Sequence, residues 1–249
     1  MDYQDINAKT IDQWVQDGWT WGQPIDHQTY VDAQAGNWSL VLTPKKPIPA
    51  NWFFKDMRGK RVLGLASGGG QQMPVLAALG AQCTVLDYST EQLAAEKLVA
   101  TREGYDIDII QADMTKPLPF EDDSFDLIIQ PVANCYVADI LPIWRECYRV
   151  LAPQGRLLVG MDNGINYLID AQETKIVHGL PYNPLTEPAL MNEQRIAADG
   201  VQFSHTLEEQ LRGQLQAGFK FIDMYEDTNG EGRLEQLNVP TFWATYAEK

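Results

Sequence analysis

The segment VLGLASGGGQQ (Val62–Gln72) sets three consecutive glycines between an apolar run and a stretch of helical period, and Asp87 ends the next apolar run. Glycines at such a junction let the backbone come close to a ligand, and the helix that follows offers unpaired N–H groups. A carboxylate at the tip of a second strand can accept hydrogen bonds from both hydroxyls of an adenosine ribose. Either feature alone is also met as a tight turn or a solvated acid. Here the spacing between them, and two later segments, argue for a binding site. Those segments are QADMTKPLPFEDDSFDLIIQ (Gln111–Gln130) and CYRVLAPQGRLLVG (Cys147–Gly160).

The elements that must hold these residues alternate between strand and helix. RVLGLA, CTVLD, IDII and FDLIIQ read as buried strands, and RLLVGM as a fifth. MPVLAALG, TEQLAAEKLVATREG and ILPIWRECYRVL have helical spacing, the second capped by Ser89 or Thr90 and closed by Gly104. Apolar strands alternating with helices imply a parallel sheet covered on both faces. The end of the chain differs. A helix over Ser204–Gly218 leads to FKFIDMY and TFWATYA with no helix between them, so the last strand is expected to return antiparallel.

In this order the motifs resemble the class I, Rossmann-like S-adenosylmethionine-dependent methyltransferases, by motif over residues 60–161 and by architecture to the final strand pair. The resemblance implies an α/β fold with a seven-stranded mixed sheet in the order 3-2-1-4-5-7-6, flanked by helices. It implies S-adenosylmethionine as cofactor, with Ala66, Ser67, Gly68, Gly69 and Gly70 against its methionine part and Asp87 on its ribose. Tyr88 and Ser89 would flank the adenine, Asp113 and Met114 bracket it, and Gln130 and Pro131 lie near the sulfonium. The chain departs from the family at Gly64, where an acid usually helps anchor the methionine amino group, and at Ala66, the place of the first glycine. Gln71, Gln72 or a residue of the N-terminus is left to supply that anchor.

Two rival enzymes share this corner of the fold. A dinucleotide fingerprint G-x-G-x-x-G would need glycine where Gly68-Gly69-Gly70-Gln71-Gln72-Met73 has methionine. An aminopropyltransferase resembles the triple-glycine turn but carries an acid after strand four, where this chain has Gln130-Pro131. A protein that binds the cofactor without turnover is favoured only by the missing acid at Gly64.

For the methyl acceptor, ligands in such sheets lie outside the carboxyl ends of the strands. Asn134 and Tyr136 follow the fourth strand and are the first candidates to touch it; His205 is a candidate base or orienting donor. Asp162-Asn163-Gly164 and Tyr225-Glu226-Asp227 belong to the same edge. About forty residues of weak periodicity between Asp162 and His205 are expected to form a lid or binding insertion. Residues 1–52 hold five of the seven tryptophans and read as a second lid or as packing on the sheet flank. A single domain is expected, made of a 1–52 flank, a 53–161 cofactor core, a 162–204 insertion and a 205–249 helix and strand pair.

Nineteen Lys+Arg against 34 Asp+Glu give a net charge of −15, which opposes docking to nucleic acid or an anionic membrane and favours a small-molecule acceptor. The basic stretch from Lys45 to Arg61 reads as a solvated turn. Cys83, Cys135 and Cys147 form no CxxC pair, and no His/Asp/Glu cluster has ligand spacing, so no metal is expected. No apolar run reaches the ~18 residues of a membrane span. A cytoplasmic monomer or homodimer is the expectation.

Overall fold

The computed structural model describes residues 2–197 and 199–249, and the side chains of all of these but 194–197, so part of the expected insertion lies outside the described residues. Helices α1 (Tyr3–Gln16) and α2 (His27–Gln34) precede β1 (Arg61–Leu65), α3 (Gln72–Ala78), β2 (Gln82–Asp87), α4 (Thr90–Glu103) and β3 (Ile107–Gln111). β4 (Phe125–Gln130), α5 (Leu141–Val150) and β5 (Leu151–Asp162) complete the repeating part. Then come α6 (Ile165–Leu168), α7 (Pro188–Ala197), a π-helical turn Glu208–Arg212 running into α8 (Gly213–Ala217), β6 (Lys220–Asp227), α9 (Gly232–Gln236) and β7 (Phe242–Glu248). The strands make one seven-stranded sheet, β3-β2-β1-β4-β5-β7-β6. β7 runs antiparallel to both neighbours and every other pair is parallel.

Alternation along the strands sorts their side chains into two cores. Leu63, Leu65, Ile128, Leu157 and Val159 pack on one face with Trp144 and Cys147 of α5. Val62, Leu127, Ile129 and Leu158 pack on the other with Met73, Val75 and Leu76 of α3. Each fully buried aliphatic side chain contributes about 1.5–3 kcal/mol. The second core also takes Leu40, Leu42, Ile48, Trp52 and Phe53 from the N-terminal segment.

That segment is a strap rather than a plain connector. An isolated antiparallel bridge joins Val41 to Pro47. Asp227 Oδ2 accepts from Thr43 Oγ1 at 2.7 Å, Lys45 N at 2.8 Å and Lys46 N at 2.9 Å. The ammonium groups of Lys45 and Lys46 reach Glu235 and the Glu226 carbonyl, so this part of the basic stretch is tied down. The strap can cross β5 because residue 160 is glycine: a Cβ there would lie 2.2 Å from the Leu42 carbonyl oxygen.

Two boundaries and one element differ from the sequence expectation. The short helix α9 lies between β6 and β7, where the sequence pattern predicts none, although β7 still returns antiparallel. Ser204 and His205 stand outside the helical segment that ends in α8, because Thr206 starts it with a capping box. Thr206 Oγ1 accepts from Glu209 N at 3.1 Å, and Glu209 Oε2 accepts from Thr206 N at 2.8 Å. β5 begins at Leu151 rather than Arg156, since the partner of β4 shifts from Leu151 to Arg156 between Phe125 and Leu127. The extra residues form a bulge, with Gln154 at φ +66°. Ser89 caps α4, its Oγ accepting from Gln92 N at 3.1 Å.

Gly160→Ala is expected to destabilise the protein by about 1–3 kcal/mol, as overpacking a rigid contact does. Urea denaturation followed by circular dichroism checks it, and an unchanged midpoint would show that the strap yields freely.

Candidate active site

The glycine turn is held by acids on its far side. Gly68 N donates to Asp87 Oδ2 at 3.0 Å, Gly69 N to the Gln92 carbonyl at 2.8 Å, and Gly70 N to Glu96 Oε2 at 3.0 Å. Gly69 and Gly70 have φ of +91° and +68°, where a side chain is strained. A Cβ on Gly68 would meet Gln92 Cβ at 2.7 Å. With all three glycine N–H groups bonded inside the protein, two of them to acidic side chains, none of the three is left to meet a pyrophosphate. This counts against the dinucleotide reading on chemistry, beyond the missing glycine.

Asp87 is 9% exposed, and its Oδ1 accepts from Ser89 N at 3.0 Å. Burial pushes its carboxyl upward, against the pull of the Ser89 and Gly68 N–H groups. A carboxylate has about four lone-pair sites, so Asp87 keeps acceptor capacity after these bonds. Glu96 is fully buried; burial pushes it up to about 7, opposed by its bonds from Gly70 N and the Tyr105 hydroxyl.

Two cavities meet at this carboxylate, sharing Ile11, Ala66, Asp87, Ala133 and Tyr136. The smaller, about 80 Å³, is lined by Tyr88, Ser89, Asp113, Met114 and α1. The larger, about 620 Å³, runs from Ala66, Ser67, Gly68, Gln71 and Gln72 past Pro131 to Asp162 and the insertion. Gly69 and Gly70 form the back of the turn, against Trp21 and Ala95. Trp19 and Trp21 line the larger cavity, whereas Trp52 and Trp38 pack in the second core. The N-terminal tryptophans thus divide between wall and flank.

Gly64, the place of the family's acid, is closed by Met73, whose Cε and Sδ would lie 3.0 Å from a Cβ there. Nearby, Gln72 Oε1 accepts from Ser67 Oγ at 3.1 Å. Gln71 Nε2 donates to the carbonyls of Thr20 and Gln23 at 2.8 and 2.9 Å, so Gln71 ties the turn to the N-terminal segment.

Of the residues after β4, Tyr136 and Pro131 reach the cavity and the polar pair behind them does not. Gln130 Nε2 donates to Asn134 Oδ1 at 3.0 Å and lies 3.5 Å from Met114 Sδ. His205 lines neither cavity; its Nε2 is 3.0 Å from the Asn134 carbonyl, and burial lowers its pKa. Asn134 and His205 therefore brace the turn that carries Tyr136. Cys135 lines the larger cavity, and burial pushes its thiol up to about 12, so it stays protonated.

Sequence reasoning missed Asn7. Its Nδ2 donates to the carbonyls of Val201 and Tyr136 at 2.9 and 3.2 Å, and its Oδ1 accepts from Val201 N at 2.6 Å. One side chain on α1 thereby joins the end of the insertion to the turn after β4. Asp12, one helical stretch on, accepts from Ser89 Oγ at 2.5 Å and Thr90 Oγ1 at 2.8 Å. The Tyr88 hydroxyl donates to Asp5 at 3.0 Å. Polar side chains spaced along a surface helix carry no local sign of these long-range contacts.

Residues 63–159 match the family model described as a methyltransferase domain. The chain is 39% identical over 234 residues, covering 90% of both proteins, to the uncharacterized methyltransferase YbaJ of Bacillus subtilis. It belongs to the class I S-adenosylmethionine-dependent methyltransferases. Over 102 residues, 40% of this methyltransferase and 46% of the relative, it is 36% identical to a demethylmenaquinone methyltransferase of Thermus thermophilus. The crystal structure of an S-adenosylmethionine-dependent methyltransferase from Mesorhizobium loti shares the fold, with a TM-score of 0.63 and 23% identity over 79% of this chain and 94% of that one. S-adenosylmethionine is the cofactor this family implies, and the acceptor capacity left on Asp87 fits its ribose. No helix among the described residues is long and apolar enough to cross a membrane.

Asp87→Ala should weaken S-adenosylmethionine binding by about 1.5–3 kcal/mol, roughly 10- to 150-fold, because two ribose hydroxyls lose a charged acceptor. Titration calorimetry on the folded variant measures this, and an unchanged constant would remove Asp87 from the site.

Glu96 gives a pH signature. Its folded pKa, about 7, exceeds the ordinary carboxylate value, so between about pH 4.5 and 7 the folded protein holds a proton that the unfolded chain releases. Stability from this group is therefore present at the acid end of that window and lost as pH rises through it. Asp162, pushed up to about 6 by burial, acts in the same direction. Scanning calorimetry from pH 5 to 8 should show a falling midpoint that Glu96→Gln flattens; a parallel fall in the variant would assign the loss elsewhere.

Proposed function

We propose that the protein transfers a methyl group from S-adenosylmethionine to a small molecule enclosed in the larger cavity. The observation that carries this reading is the continuity of one cavity of about 620 Å³ from the glycine turn and Asp87 to the residues of the insertion. When bound, the cofactor supplies a methyl carbon on a sulfonium, open to in-line displacement. The chain's part is to bind, orient and exclude water, which supply most of the acceleration in such a transfer.

Each residue takes its role from its place. Asp87 holds the ribose hydroxyls, while Tyr88, Ser89, Asp113 and Met114 wall the adenine. Ala66, Ser67, Gly68, Gln71 and Gln72 lie along the methionine part. Gly69 and Gly70 keep the turn closed from behind, and Pro131 borders the reacting end. Gln72 does not replace the missing acid: Ser67 occupies its carbonyl oxygen, and the amide N–H groups that remain are donors suited to the carboxylate of the methionine end, not to its amino group. Tyr136 reaches the acceptor; Gln130, Asn134 and His205 are positioning residues that hold its turn.

The wall supports a small acceptor over a polymer. Tyr167, Ile169, His178, Tyr182 and Gln202 of the insertion close one side, and Trp19, Trp21 and the strap residues Val41–Pro44 close another. The net charge of −15 further disfavours a polyanion.

Incubation with methyl-tritiated S-adenosylmethionine and a whole-cell extract, followed by size filtration, tests this. Label is expected in a filtrate compound that chromatography separates from S-adenosylmethionine and that is absent without the protein. Label confined to RNA or protein would overturn the enclosed-acceptor reading.

A further inference from the structure

The part of the larger cavity beyond the cofactor residues has a distinct chemistry. The glycine turn follows β1, Pro131 and Val132 follow β4, and Asp162 ends β5, with β4 between the other two in the sheet. A molecule over the end of β5 thus faces one over the end of β1 across β4. The acceptor belongs at the β5 end, and so does Asp162.

Asp162 is held firmly and by neutral donors. Its Oδ1 accepts from Gly164 N at 2.5 Å, its Oδ2 from Asn166 Nδ2 at 2.9 Å, and its carbonyl from Gln210 Nε2 at 2.9 Å. Burial pushes its carboxyl up to about 6, which leaves it largely ionised at neutral pH. A carboxylate out of bulk water calls for a cation. Among the described residues that line the cavity there is no lysine or arginine, while Glu193 and Asp199 line it too. Glu193 faces His178, with 3.8 Å between Oε1 and Nε2.

Aromatic faces complete the enclosure. Tyr167 and Tyr182 stack with centroids 5.3 Å apart at 25°, and His178 meets Tyr182 edge-on. Tyr167 is fixed by donating to Gln202 Oε1 at 2.7 Å. Tyr136 also lines the cavity. Carboxylate plus electron-rich ring faces is the chemistry that selects an organic cation over its neutral counterpart.

We propose that the acceptor is a small organic cation whose ammonium or quaternary ammonium group, having no lone pair, serves only as a handle against Asp162 and the Tyr167–Tyr182 pair. A separate lone-pair atom of the same molecule takes the methyl as the methyl–sulfur bond breaks, S-adenosylhomocysteine leaves, and any proton on that atom passes to water. This rests on the enclosed small-molecule reading and names the class of molecule that fills the cavity. The same acid could instead serve the cofactor's own ammonium, and the experiment separates the two.

The full-length protein, saturated with S-adenosylhomocysteine, is titrated by tryptophan fluorescence with two charged and uncharged pairs: benzylamine against benzyl alcohol, and choline against its uncharged tert-butyl isostere. At least one cation should bind tenfold or more tighter than its neutral partner. Asp162→Asn should abolish that preference and leave the S-adenosylhomocysteine constant within twofold, and Tyr167→Leu should weaken the cation alone. Equal binding within both pairs, or no binding by either, would overturn the proposal. So would Asp162→Asn weakening S-adenosylhomocysteine as much as the cation, which would give the acid to the cofactor. In the tritium assay, the labelled product should be retained on a cation exchanger, and a labelled product in the flow-through would also overturn the proposal. Cation preference without any labelled small molecule would sink the methyl-transfer reading and leave the cation site standing.

Discussion

Asp87 binds two turns with one carboxylate, and most of the site depends on its doing so while buried. Its Oδ2 takes the Gly68 N–H after β1 and its Oδ1 takes the Ser89 N–H at the start of α4. The distance can be this short only because residue 68 lacks a Cβ, which would come 3.0 Å from Oδ2. The same turn is held one glycine pair later by Glu96 through Gly70 N. Glu96 is pushed up to about 7, chiefly by burial and in smaller part by the charge of Asp87. The turn is thereby stiff and rich in acceptors, suited to hydroxyls and cationic groups rather than phosphates.

That part of the architecture was open to sequence reading because its determinants are local. β1, β2 and β4 are short apolar runs because both faces of the central sheet are covered, and glycine or proline punctuates their ends. Ala66–Gly70 and Asp87 sit at strand ends, where chain direction alone brings them to one edge of the sheet. Direction beyond the strand is harder to read. Asn134 and Tyr136 share one 3₁₀ turn, yet Tyr136 reaches the cavity while Asn134 turns back to Gln130. His205 lies beside this turn, with its ring nitrogen against the Asn134 carbonyl rather than at the cavity wall. Tyr167, Tyr182 and Asn7 carried no periodic signal, because their positions depend on contacts across the fold.

Charge follows a similar division. The excess of 15 negative charges is spread over the chain, but at the acceptor end Asp162 is held by neutral N–H donors. An exposed carboxylate is screened by water and costs little; one held by Gly164 N and an asparagine amide keeps a field that only a nearby cation balances. The long-range charge brings cations toward the surface, and the local site then distinguishes among them.

Closure of such a cavity requires an element that can open, and the N-terminal residues are unequal in this respect. The strap contributes Leu40, Leu42 and Ile48 to the core and is bound by Asp227, and α2 contributes Ala33. Releasing either would expose apolar surface. α1 fully buries only Asn7 and is held by side-chain hydrogen bonds through Asp5, Asn7 and Asp12 and by ring contacts of Tyr3 with Phe203 and Trp14 with Tyr136. Bonds of that kind contribute about 0.5–1.5 kcal/mol each, because water replaces them when they break. The element that covers Asp87 and the smaller cavity is therefore the one whose release uncovers the fewest fully buried side chains. Asn7 makes that detachment cooperative: freeing α1 also frees Val201 of the insertion and the Tyr136 carbonyl, so the two sides of the cavity loosen together.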